Sequence, residues 1–195
     1  MTGTGILSKK TTLIATFSAI LCTAVILLAG PQARAQGQPR ALGRESGLPV
    51  PRFASLKSDE VNVRKGPGKE YPIAWVFRRV GLPVEIVKEY GNWRQIRDSQ
   101  GSEGWVFHAL LSGRRTMVVL PWEISRAKSR PANVKMTPIF DKASRKGNVL
   151  VEVEPGVIGS VFKCDRTWCN VSVMNYRGWI LQKTLWGVYA PEVIR

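Results

Sequence analysis

The sequence predicts an all-β protein, two tandem small barrels behind an N-terminal hydrophobic export segment. Three observations predict it. Behind Lys9 and Lys10, an uncharged run, TTLIATFSAILCTAVILLAG, fills residues 11–30. Residues 56–191 break into short alternating or β-branched segments parted by polar, glycine-containing turns, with no long amphipathic helix pattern. The second half of the chain also echoes the first. KSDEVNVRKGP from Lys57 returns as KSRPANVKMTP from Lys128, Gly81 as Gly156, Lys88 as Lys163, Trp93 as Trp168, and Gly104-Trp105 as Gly178-Trp179. A spacing this long indicates tandem domains, because solenoid repeats run about 20–50 residues.

The first element is the export segment. PQARA follows the hydrophobic run and offers Ala33 and Ala35 as an A-x-A cleavage pair before Gln36. The run exceeds the ~7–15 residues of a usual signal-peptide core and reaches the ~20 that span a bilayer. A signal peptide over residues 1–35 and an uncleaved membrane anchor are therefore both open, and either exports the rest to the periplasm or cell envelope. Cys22 lies inside the run, away from the cleavage box, so the segment does not read as a lipoprotein signal. Residues 36–55, QGQPRALGRESGLPVPRFAS, lack periodicity and read as a flexible linker.

The first barrel is expected over residues 56–121 and the second over 124–190. VNVR, AWVFRRV and PVEIVKEY read as strands, GNWRQIRDSQGSEGWVF as a hairpin, HALLSG as a helical turn and RTMVVLPW as the closing strand of the first barrel. So many short strands in so few residues call for a closed or nearly closed sheet, which leaves few exposed edges. In VNVRKGPGKEYPI, Val61 and Val63 are expected inside and Asn62 and Arg64 outside. Gly66 and Gly68 are expected to take positive φ around Pro67.

VNVRKGPGKEYPI, then GNWRQIR, then GSEGWVF resemble, in that order, the N-V-R-x-G-P-G-x-x-Y, G-x-W and G-W-V pattern of the bacterial SH3 domain, over residues 56–113. The second copy keeps TWCNV and RGWI, but ANVKMTPIF lacks both glycines and the tyrosine. A differently shaped loop and a purely supporting role are expected there. The resemblance implies SH3-like barrels whose long loop borders a shallow groove for extended peptides. Tyr71, Trp75, Tyr90 and Trp93 are the expected groove aromatics, with Arg64, Lys65 and Lys69 beside them to suit carboxylate-bearing peptides or sugars with anionic substituents. Trp105 and Trp179, each between a glycine and a strand, are expected in the cores.

In an oxidising compartment, Cys164 and Cys169 are the two cysteines beyond the export segment. They face each other across a DRT turn, where paired Cα atoms lie about 4.5–5.5 Å apart, so a disulfide is expected. No catalytic set is legible. His108 is the single histidine, which leaves no Cys–His pair or Ser–His–Asp triad and no metal ligand set. RKGPGKE has the wrong spacing for a phosphate loop. No cofactor is expected. Net charge is +15, with five basic residues against Glu123 within residues 113–130, which suits anionic polymers such as teichoic acid, nucleic acid or lipid headgroups. Export and the interleaved Glu60, Glu70, Glu85, Glu89 and Glu103 weigh against nucleic acid, and membrane contact follows only if the anchor is retained. The expected function is a non-catalytic envelope module that recognises peptidoglycan peptides or an envelope protein. The alternative is a periplasmic scaffold or inhibitory partner that never touches the wall.

Overall fold

The computed structural model describes residues 40–124 and 134–195, with Met1 and Ser129. The hydrophobic run, its A-x-A site and residues 36–39 of the expected linker lie outside the described residues. Among the described residues the chain forms short strands: β1 (Ala41–Leu42), β2 (Pro49–Val50), β3 (Arg52–Leu56), β4 (Val61–Arg64), β5 (Ile73–Phe77), β6 (Pro83–Tyr90), β7 (Trp93–Arg97), β8 (Glu103–Phe107), β9 (Leu111–Ser112), β10 (Thr116–Val119), β11 (Thr137–Phe140), β12 (Val149–Val153), β13 (Ile158–Asp165), β14 (Trp168–Val173), β15 (Tyr176–Leu181), β16 (Leu185–Trp186) and β17 (Val193–Ile194). Short 3-10 turns at His108–Leu110 and Gln182–Thr184 precede β9 and β16.

Two antiparallel sheets repeat one topology. The first runs β5-β4-β8-β7-β6-β3-β9 and the second β12-β11-β15-β14-β13-β10-β16, with β17 added on β13. Period-two alternation fills each barrel. Leu56, Val61, Val63, Val84, Ile86, Ile96 and Val106 form one core, and Met117, Val119, Ile139, Val161, Val171 and Ile180 belong to the other. β6 and β13 carry register shifts at matching places, Ile86/Lys88 and Val161/Lys163. Gly81 and Gly156 enter those strands with φ of +76° and +87°, a left-handed turn that glycine takes without a Cβ clash.

The strand pairing redraws the expected boundaries. Thr116–Val119 does not close the first barrel, since it pairs with β13 on one side and β16 on the other. All four residues are buried, so both faces of this strand are covered. β3, all but its last residue inside the expected linker, is its counterpart, flanked by β6 and β9. Each unit thus begins one strand earlier than the motif suggests. The segment from Arg40 to Pro51 is also built in, because the Glu89 carboxylate accepts hydrogen bonds from the Glu45 and Ser46 amides (3.0 Å each), the Ser46 hydroxyl (2.6 Å) and Arg52 (2.8 Å).

Glu89 and Arg94 face each other across β6 and β7 at the place where Cys164 and Cys169 face each other across β13 and β14. The first barrel bridges this position with an ion pair, Arg94 Nε to Glu89 Oε1 at 3.4 Å. The second bridges it with the expected disulfide, its Cα atoms 4.1 Å apart. Closing so short a loop restricts the unfolded chain by about 2 kcal/mol. Reduction is therefore expected to lower stability by about 2 kcal/mol and to raise amide exchange first in β13–β15. Equal loss of protection in β6–β8 would contradict this.

The barrels are joined by residues 113–115 and hold each other directly. Phe53 meets the Trp186 ring edge-on at 5.1 Å and the Tyr189 ring at 4.6 Å. The Tyr189 hydroxyl donates to Glu85 Oε1 (2.9 Å), the Trp186 indole N–H to the Pro83 carbonyl (3.3 Å), and Arg79 to the Gly156 carbonyl (3.0 Å). Burial, together with the hydrogen bond to the Glu85 carboxylate and its charge, pushes the Tyr189 phenol far above its ordinary value. It stays a donor at any physiological pH.

Candidate functional site

The aromatics of the first barrel gather on the outer face of β4, β8 and β7. Gly104 and Val106 are buried, so the alternate positions of β8, Trp105 and Phe107, turn outward. Trp93 lies opposite Phe107 on one side and Tyr90 on the other, and Trp105 lies between Arg64 and Gln95. The Trp93 and Phe107 rings meet edge to face at 5.6 Å, and His108 lies 5.0 Å from Phe107. Two rows of outward side chains result, Tyr90–Trp93–Phe107 and Lys88–Gln95–Trp105–Arg64. Arg64 ties the face to the long loop by donating to the Tyr71 carbonyl at 2.7 Å.

The expected site residues divide among several places. Arg64, Tyr90 and Trp93 lie on this face, and Tyr71 stands exposed at the end of the adjoining loop. Lys65 and Lys69 are exposed on that loop, with no side-chain partner among the described residues. Trp75 faces the other way. It stands opposite buried Val63, packs edge-on with Phe77 at 6.0 Å and covers Gly104, so it is a wall of the core. Trp105, expected inside, is instead half-buried on the outer face, as is Trp179. The signal that finds Trp105 is its flanking by two core positions, which leaves it no inward direction.

The family model for the bacterial SH3 domain matches residues 57–113 and again residues 133–187. The chain belongs to the bacterial SH3 domain family. Among curated proteins, a Bacillus subtilis (strain 168) protein named for N-acetylmuramoyl-L-alanine amidase activity, YrvJ, is 29% identical over 132 residues. That match takes in 65% of this chain and 24% of YrvJ, so the chain spans about a quarter of its curated relative. Two solved structures from Trichomonas vaginalis, NlpC2 and NlpC1, are 13% and 14% identical with TM-scores of 0.30 and 0.31. They cover 70% and 74% of this chain and 48% of each of those chains.

The two SH3 units present the same long loop. Residues 65–72 connect β4 to β5, and residues 141–148, equally many, connect β11 to β12. The backbone bonds correspond. Lys65 donates to the Pro72 carbonyl as Asp141 does to that of Asn148, and Gly68 to that of Gly66 as Ser144 does to that of Lys142. The expected difference in loop shape is therefore not found. VNVR resembles ANVK in its letters, whereas the pairing sets VNVR against TPIF, since Arg64 faces Trp105 as Phe140 faces Trp179. The second unit's extra residues precede the loop, four residues separating β3 from β4 and seventeen separating β10 from β11.

Gly66 and Gly68 are also not among the glycines with positive φ. They are needed for room. A Cβ at Gly66 would sit in the Tyr71 ring, and one at Gly68 in the Glu70 carboxylate. In the second loop the equivalent pair is exchanged: Lys142 stands for Gly66 and Gly147 for Tyr71, and a Cβ at Gly147 would crowd Asp141 and Lys142. One member of the pair must be glycine, and either can be.

Proposed function

We propose that this chain is a non-catalytic, exported binding module of the bacterial cell envelope whose first SH3 unit recognises peptidoglycan. The observation that carries the reading is the outward row of Tyr90, Trp93 and Phe107 beside Trp105 and Arg64. Such rings do not fill the core, and a grouped aromatic face left open to solvent suits a ligand that is apolar on one side and polar at its edges. Sugar rings bearing short peptides fit that description, and Arg64, Lys65 and Lys69 provide cations for their carboxylates. The membership in the SH3 family supports the reading, as does the likeness to part of a protein named for an amidase of muramoyl peptides. The module acts by holding its ligand. The single histidine packs against Phe107, and both cysteines outside the export segment are joined in a disulfide.

The test is co-sedimentation with protein-free peptidoglycan at low and moderate salt, with a Trp93→Ala/Trp105→Ala variant beside the wild type. The wild type is expected in the pellet at both salts, and the variant, folded by circular dichroism, is expected to bind at least about tenfold more weakly. A wild type that stays in the supernatant at both salts would sink the wall reading and point to an envelope protein as the partner.

A further inference from the structure

The second SH3 unit carries a groove that the first does not match in charge. Its long loop, the β13–β14 turn and the 3-10 turn after β15 enclose about 500 Å³, floored by Trp168 and Leu181. Three cations rim it, one from each element: Arg145, Arg166 and Lys183. Each is exposed, and none has an ion-pair partner among the described residues. At the corresponding positions the first unit has Lys69, Gly91 and Ala109. Two of the three charges are therefore particular to the second unit.

Arg166 also occupies a conformation that arginine does not favour. It has φ of +86°, where its counterpart Gly91 has +49°. A two-residue hairpin turn ordinarily places glycine there, and a bulky L residue in the left-handed region is strained. The turn is held by Asp165, whose carboxylate accepts from the Thr167 and Trp168 amides at 3.0 and 2.7 Å. An arginine kept at a glycine position in a groove is an outlier that its own turn does not require. The floor adds a polar feature. Gln182 is buried, its amide nitrogen donates to the Tyr189 and Glu192 carbonyls, and its Oε1 has no hydrogen-bond partner among the described residues.

We infer that this groove binds an extended, carboxylate-bearing peptide segment, with Arg166 as the residue that sets its preference for acidic ligands. Arg145, Arg166 and Lys183 supply charge-assisted hydrogen bonds to carboxylates. Trp168 and Leu181 supply an apolar floor for the peptide's aliphatic groups. The apolar floor of Trp168 and Leu181 favours a peptide with aliphatic side chains over a phosphate polymer, which is charged along its whole length. The second unit is then a binding unit in its own right, against the supporting role the sequence suggested for it. The inference concerns a site separate from the aromatic face of the first unit and does not depend on that face binding the wall.

The test titrates the full chain with hexaglutamate, hexaglutamine and a phosphodiester oligomer of equal charge, following tryptophan fluorescence and amide resonances. Hexaglutamate is expected to shift residues 143–145, 166–168 and 181–183, and to bind at least about tenfold more tightly than hexaglutamine. Arg166→Gly and Arg166→Asn, both at ease in the left-handed region, are expected to raise the melting temperature while weakening hexaglutamate binding about tenfold. Lys57→Ala, an exposed lysine of the first unit on neither face, is expected to leave that binding unchanged. Equal affinity for hexaglutamine, tighter binding of the phosphodiester, or undiminished binding by both Arg166 variants would overturn the proposal. Peptidoglycan binding that survives in Arg166→Gly alongside lost hexaglutamate binding leaves both conclusions standing. Hexaglutamate binding without any peptidoglycan binding sinks only the wall reading.

Discussion

Replacing Glu89 with glutamine is expected to destabilise the first barrel by about 3–5 kcal/mol, the usual consequence of removing one partner from a buried ion pair. The Glu89 side chain is only 1% exposed, and it holds Arg52, Arg94, Ser46 and two backbone amides at once. Burial alone would raise its pKa, but the hydrogen bonds from Ser46, Arg52 and the Ser46 and Glu45 amides outweigh that and hold it down at about 2. The sign of the pH dependence follows. A carboxylate whose folded pKa lies below its unfolded value stabilises fully above the unfolded value, near pH 4.5, and loses that contribution as pH falls toward 2. The contribution is on the order of 3 kcal/mol. Amides of residues 43–52 should therefore begin to exchange rapidly between about pH 4.5 and 2 in the wild type, and at neutral pH in Glu89→Gln. Unchanged protection of residues 43–52 in the variant at neutral pH would show that the segment is held by something else.

Phe53→Ala is expected to cost about 3–5 kcal/mol, as large-to-small changes at buried aromatics do, and to uncouple the two barrels. Phe53 belongs to the first sheet, yet its ring contacts are Trp186 and Tyr189 of the second unit. Without it, the hydrogen bonds from Tyr189 to Glu85 and from Trp186 to Pro83 lose the apolar cover that shields them from water. Calorimetry is expected to show one unfolding transition for the wild type and two for the variant. One transition with an unshifted midpoint would mean that the interface is not what couples the units.

Much of the fold was legible because it rests on local periodicity. VNVR and GSEGWVF place alternate residues in the core, and the repeated Gly-Trp pairs mark the same strand in both units. The strands at the start of each unit were harder to read. RFASL and TMVV have no alternation, since both faces of each strand are covered, and TMVV follows the first unit so closely that it reads as its end. The two copies share five letters at this place, Lys, Ser, Asn, Val and Pro, but strand pairing is decided by facing partners, and Phe140 opposite Trp179 shifts the match by several residues. The candidate face was half visible. Trp93, Tyr90 and Arg64 could be chosen by type and place, whereas Trp105 was misplaced because a Gly-Trp pair was weighed by bulk and not by the burial of its neighbours. The role of Glu89 was hidden, since no pattern in the sequence links it to Ser46 across more than forty residues. The charged groove of the second unit was hidden because Arg145, Arg166 and Lys183 stand on three separate turns that only the fold brings together.

As a binding module, the chain is expected to contact its ligand on defined faces of its SH3 units. Amide hydrogen exchange of the chain, with and without soluble peptidoglycan fragments carrying their peptides, tests it most directly. Added protection is expected at residues 64–71, 90–94 and 103–108 of the first unit, with residues 143–145 and 166–168 joining when the fragments' peptides carry free carboxylates. Protection confined to the β3, β6 and β16 region where the barrels meet, or none at any concentration, would contradict it.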